Sequence, residues 1–131
     1  YAQAIEMFEN CMPLCDEEMG IAVMYWHTLS AAQAKKPPAL LKDYHPGMAV
    51  GHHTAYEKAM QVWSGTTPLP AMLQMLEDEK DDLEYSIVLY GLLQYPDCDE
   101  QECLYEKLLS RGGFWPSFAY LAAWNDRSRA L

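Results

Sequence analysis

A faint internal repeat constrains this chain more than any other feature of its sequence. Tyr1-Ala-Gln-Ala-Ile-Glu-Met-Phe, closing at Pro13-Leu14, matches Tyr56-Glu-Lys-Ala-Met-Gln-Val-Trp, closing at Pro68-Leu69, at an ungapped offset of 55 residues. A tyrosine, an alanine, two aliphatic positions, an aromatic and a final Pro-Leu coincide. A partial third copy begins at Tyr105-Glu-Lys-Leu-Leu. A recurring supersecondary unit of this kind cannot bury its apolar side alone, so copies stack. A second, weaker match aligns the acids Glu17-Glu18 with Asp81-Asp82 at an offset of 64 and runs on into an aliphatic-then-aromatic segment. The unit is therefore read as a helical hairpin with connectors of variable length, the alternative being a helical bundle without repeats.

The apolar spacing is helical almost throughout. Ile5, Phe8 and Met12 share one stripe until Pro13 interrupts the run. Asp16-Glu17-Glu18 is an acidic first turn, and the helix behind it is expected over 17–36, where Pro37-Pro38 stops it. Residues 39–42 have room for one turn. Helix is expected again over 48–64, then over 68–79, with Thr67 as its cap. The strongly apolar stretch 83–95 is expected to lie at the centre of the stack. Asp99, with Glu102 three residues on, reads as a capping box for a helix to about 110. A last helix opens near Trp115-Pro116-Ser117. The expected fold is all-α: stacked antiparallel helical hairpins forming one domain over 1–131, with about six to eight helices. Helical periodicity is already running at Tyr1, which suggests a trimmed leader or a piece of a longer chain.

Composition narrows the function classes. Nine basic against nineteen acidic residues give a net charge of −10, so nothing draws this chain to nucleic acid phosphate. Half the residues are hydrophobic, enough for a core without metals or disulfides. No apolar run reaches the ~18 residues of a membrane span, and a soluble, cytoplasmic protein is expected. Cys11 and Cys15 are four residues apart, which on one helix gives parallel Cβ vectors unsuited to a bond. Together with Cys98 and Cys103 they are expected to be reduced thiols.

The segment Tyr1-Ala-Gln-Ala-Ile-Glu-Met-Phe-Glu-Asn-Cys-Met-Pro-Leu resembles the second helix of a tetratricopeptide repeat, and 56–69 resembles it again. The first-helix pattern of that family and its repeat spacing are not reproduced, so the likeness is to a divergent, tetratricopeptide-like helical repeat. Such a resemblance implies an α–α superhelix that binds a peptide or partner protein in a concave groove.

Candidate site residues follow two lines. Trp26 and Tyr90, with Tyr25 and Tyr85, have the spacing to line an aromatic, Met-rich groove with an acidic rim, or equally to fill a core. Phe114 and Trp115, beside Gly112-Gly113, are bulky groups that are hard to bury fully and suit contact with a partner or a second copy. The expected partner is a protein or peptide, basic in character, and self-association is a further possibility. The second line is chemical. His45, His52, His53 and Glu57 lie close in sequence; His53 and Glu57 share a helix face, and His27 is available to complete a set. That cluster supports the alternative of a metal-dependent helical enzyme, although no His-Glu-x-x-His spacing is present. The plain reading of the same residues is solvent-exposed histidines. No cofactor and no catalytic residues are expected, since phosphate loops, dinucleotide fingerprints and nucleophile elbows are all missing from the sequence.

Overall fold

The computed structural model describes residues 1–96, 98–110 and 118–130. Among them are seven α-helices: α1 (Ala2–Cys11), α2 (Glu17–Gln33), α3 (Thr54–Trp63), α4 (Leu69–Glu77), α5 (Asp82–Leu93), α6 (Gln101–Ser110) and α7 (Phe118–Ala130). Short 3-10 segments occupy Met12–Leu14 and Ala39–Asp43, and no strand occurs among the described residues. The fold is all-α.

Two helices carry most of the core, α5 buried all round and α2 on all but the half-buried stripe of Ala22, Trp26 and Ser30. In α2 the buried positions include Ile21, Met24, Tyr25, His27, Thr28 and Leu29. In α5 every residue from Tyr85 to Leu93 is buried. A helix apolar all round belongs at the centre of its protein, and α5 packs against α3, α4, α6 and α7. Side chains also tie it to α2: the Tyr25 hydroxyl donates to the Ile87 carbonyl at 2.6 Å, and Gln33 bonds Gln94 at 2.9 Å. The outer helices are two-sided. α1 buries Ile5 and packs Phe8 onto the core while Met7 stays exposed.

Both central helices start on an aspartate cap. Asp16 accepts from the Met19 N–H at 2.8 Å, and Asp81 accepts from Leu83 at 2.9 Å and Glu84 at 3.3 Å. Each bond satisfies a donor that the helix itself leaves unpaired. The caps also correct the weaker alignment. Counted from Asp16 and Asp81 the offset is 65, which pairs Tyr25 with Tyr90 rather than with Leu89. In the other pair of segments, Ile5 and Met60 are both buried and Phe8 and Trp63 both pack partly against the core. Tyr1 and Tyr56 differ: Tyr1 is 55% exposed ahead of α1, whereas Tyr56 sits inside α3 with its ring edge-on to Tyr25.

Element boundaries depart from expectation in three places. α2 stops at Gln33 rather than 36, because Lys35 takes a left-handed conformation at φ 57° just beyond the end. α3 starts at Thr54, not 48, because the preceding loop is held against α2. The N–H of Ala49 donates to Glu17 at 2.5 Å and that of His52 to Glu18 at 3.3 Å. Gly51 suits this docked loop, because its φ of +56° lies in the left-handed region that residues with a side chain rarely adopt. α4 has Pro68, not Thr67, at its N-cap position, with no side-chain cap.

The closest helix contact is between α3 and α5. A Cβ on Gly91 would come within 2.8 Å of both the Ala59 Cβ and the Tyr25 ring. Trp63 Nε1 donates to the Gly91 carbonyl at 3.0 Å, and Lys58 pairs with Glu84 at 2.6 Å. The ends of the chain also meet: Arg129 in α7 donates to the Tyr1 hydroxyl at 2.8 Å.

Candidate binding groove

The histidines do not assemble. His53 Nδ1 donates to the Glu18 carbonyl at 2.6 Å, and its ring stands edge-on to Tyr56. His45 is exposed, with Nε2 3.9 Å from Glu17, and His52 is exposed on the same loop. Glu57 accepts from the Tyr44 hydroxyl at 3.4 Å. His27 is fully buried on α2, where Nε2 meets Glu9 of α1 at 3.1 Å. Among the described residues no three His, Cys, Asp or Glu side chains come together to hold a metal. His53 instead helps dock the 44–53 loop onto the start of α2.

Of the aromatics named as groove residues, Tyr25, Trp26 and Tyr90 lie elsewhere. Tyr90 is only 6% exposed, and its hydroxyl donates to Asp126 of α7 at 2.7 Å. Burial, reinforced by that carboxylate, raises the pKa of the phenol far above its ordinary value. Trp26 is half-buried between Tyr25, at 4.9 Å between ring centres, and Tyr90, at 6.2 Å. With Tyr56 these rings form an interior cluster that welds α2, α3 and α5 together. Phe114 and Trp115 lie outside the described residues.

A groove does exist, on another face. α4 packs on α3 and α5, and α6 packs on α5 and α7, so α4 and α6 flank α5. Between them opens a cavity of about 590 Å³. Tyr85 and Leu89 of α5 line it, with Leu69, Leu73 and Leu76 from α4 on one side and Cys98 and Leu104 on the other. Among the described lining residues, Glu77, Asp99 and Glu100 supply three carboxylates against the one ammonium of Lys107. The local sequence explains the shape. Pro70 near the start of α4 fixes that end. The helix turns Met72 and Leu76 inward and leaves Leu69 and Leu73 half-covered. The Gln101 amide donates to the Leu93 carbonyl at 2.8 Å, anchoring the start of α6 to the end of α5.

The size is that of a ligand site, an apolar trough with a few polar groups at its edge. Its described lining holds no histidine, and burial raises the pKa of its one thiol, Cys98, away from the reactive thiolate form. Of the aromatics weighed for a groove from the sequence, Tyr85 lines this one. Sequence reasoning missed Leu69, Leu73 and Leu104, since a leucine at helical spacing looks the same whether another helix covers it or not.

Neither a protein-family model, nor a curated protein, nor a solved structure matches this chain. Its function must be argued from the geometry.

Proposed function

We propose that this protein is a non-catalytic helical interaction module that captures a basic, amphipathic peptide segment in the groove between α4 and α6. The observation that carries the reading is the groove itself: a leucine-lined trough of about 590 Å³ with three carboxylates and one ammonium at its edge. A helix or turn of a partner would insert two or three apolar side chains toward Leu73, Leu89 and Leu104. Its Lys or Arg residues would face Glu77, Asp99 and Glu100. The acidic balance of the whole chain favours the same class of partner and speeds its approach. We place the module in the cytoplasm, in keeping with four free cysteines. Among the described residues no helix is long and apolar enough to cross a membrane.

Fluorescence anisotropy against labelled basic, neutral and acidic amphipathic peptides tests the proposal. The basic set should bind, and raising salt should weaken it, since exposed carboxylates are screened within about 10 Å at 0.1 M. Leu73→Asp should raise the Kd by about tenfold or more, as expected for a charge placed in an apolar contact. Glu77→Lys should act mainly on the salt-sensitive part. Binding that ignores both substitutions, or peptides of all three charges binding alike, would remove the groove from consideration. Analytical ultracentrifugation of the free protein reports whether a second copy occupies the groove instead.

A further inference from the structure

The cysteines at 11 and 15 are not held on one helix. α1 ends at Cys11, Pro13 sits in the 3-10 segment Met12–Leu14, and Cys15 is extended at φ −96°, ψ 146°. The break carries Cys15 back over the helix end. Its Sγ lies 3.7 Å from the Sγ of Cys11, and its thiol donates to the Cys11 carbonyl at 3.4 Å. Cys11 is exposed and Cys15 half-buried, and both are free. The objection from parallel Cβ vectors holds for a continuous helix and does not apply here.

We propose that Cys11 and Cys15 form a reversible dithiol–disulfide pair, oxidised by low-molecular-weight disulfides of the glutathione type. The exposed Cys11 thiolate attacks one sulfur of the small disulfide and forms a mixed disulfide, releasing one small thiolate. Cys15 then loses its proton to solvent and attacks the Cys11 sulfur. The Cys11–Cys15 bond forms, and the second small thiolate leaves. Two protein thiols are oxidised and one small disulfide is reduced to two thiols, so atoms and electrons balance.

The exposure difference sets the order. Cys11 meets the oxidant, while burial, its hydrogen bond to Cys11 and the charge of Asp16 raise the Cys15 pKa, which keeps that sulfur a thiol until the mixed disulfide is beside it. The sulfurs must close from 3.7 Å to about 2.05 Å. Cys15 lies beyond α1, and only the 3-10 turn Met12–Leu14 separates it from Cys11. Cys98 and Cys103 offer no equal pair, since Cys98 is buried in the groove wall. The pair is remote from the groove lining, so it stands independently of the peptide-binding reading.

The test equilibrates the full chain in glutathione buffers of graded ratio, quenches with acid, blocks remaining thiols and cleaves after glutamate. The peptide spanning 10–17 carries both cysteines. In the wild type it should lose two hydrogen masses, escape blocking at both sulfurs together, and recover on reduction. Cys15→Ser should accumulate glutathione on Cys11, about tenfold more than the wild type at the same ratio, for want of a resolving thiol, whereas Cys11→Ser should gain far less on the half-buried Cys15. Circular dichroism confirms that both variants are folded. Independent blocking of the two thiols in oxidising buffer, stable double glutathionylation, or a disulfide only between chains would each overturn the proposal.

Discussion

A single hydrogen atom sets the spacing of α3 and α5. At Gly91 the absent side chain lets the Ala59 Cβ and the Tyr25 ring approach to distances no Cβ tolerates. Two effects oppose each other in Gly91→Ala. Helix propensity favours alanine by about 1 kcal/mol. Overpacking a filled core costs about 1–3 kcal/mol. Overpacking wins here, because Ala59 is attached directly to the α3 backbone and Tyr25 is pinned by its bond to Ile87. Gly91→Ala should therefore lower stability by a net ~1–2 kcal/mol in urea unfolding. Adding Ala59→Gly should restore part of the loss. A Gly91→Ala variant more stable than wild type would mean that the helices are not this close.

The elements are defined as much by their ends as by their apolar faces. α2 and α5 each carry an aspartate N-cap followed by acids in the first turn, Glu17 and Glu18 or Asp82 and Glu84. Removing either cap, as Asp16→Ala or Asp81→Ala, should cost about 1 kcal/mol by thermal or urea unfolding. Asp81→Asn should cost much less, because an amide oxygen still accepts. Whereas the acidic run 77–82 read equally as a solvated junction or as a new N-terminus, the start of α2 was legible, since Asp16-Glu17-Glu18 ahead of an apolar run is a local signal. The start of α3 was not. Glu17 and Glu18 accept N–H groups from Ala49 and His52, more than thirty residues away, and no local pattern announces that. The histidine cluster misled for the same reason. His53 is turned to the Glu18 carbonyl and His27 to Glu9, and neither partner could be identified without the tertiary structure.

Over the whole molecule, buried phenols join helices that are distant in sequence. Tyr25 links α2 to α5 and Tyr90 links α5 to α7. Burial raises the pKa of both, and of Tyr44 more mildly, so the native state holds these protons more tightly than the unfolded chain does. Their contribution is complete below the unfolded tyrosine pKa, about 10, and is lost as pH rises above it. The melting temperature should therefore hold through neutral pH and fall steeply above about pH 10. Tyr25→Phe combined with Tyr90→Phe should cost about 1 kcal/mol per lost bond at neutral pH and flatten the alkaline fall. An alkaline limb unchanged in the double variant would assign the loss to other groups. At this scale the structure also adds a contact that the repeat pattern does not contain, where Arg129 reaches Tyr1 and brings the last helix to the first residue.

The sequence by itself determined the helical class, the central place of the apolar stretch 83–95 and the acidic start of the helix that follows Asp16. Those properties rest on spacing and composition within a few turns, where each residue sees mainly its own neighbours. Tertiary structure alone decided which face stayed open. Tyr90 has the same periodicity as any groove lining, yet α7 covers it and takes its hydroxyl at Asp126, while Trp26 stays half-buried against Tyr25 and Tyr90. Leu69 and Leu73 look like core, yet α4 and α6 stand apart on either side of α5 and leave them half-covered. Burial of a side chain is settled by whichever distant helix arrives to cover it, and helical spacing carries no information about that arrival.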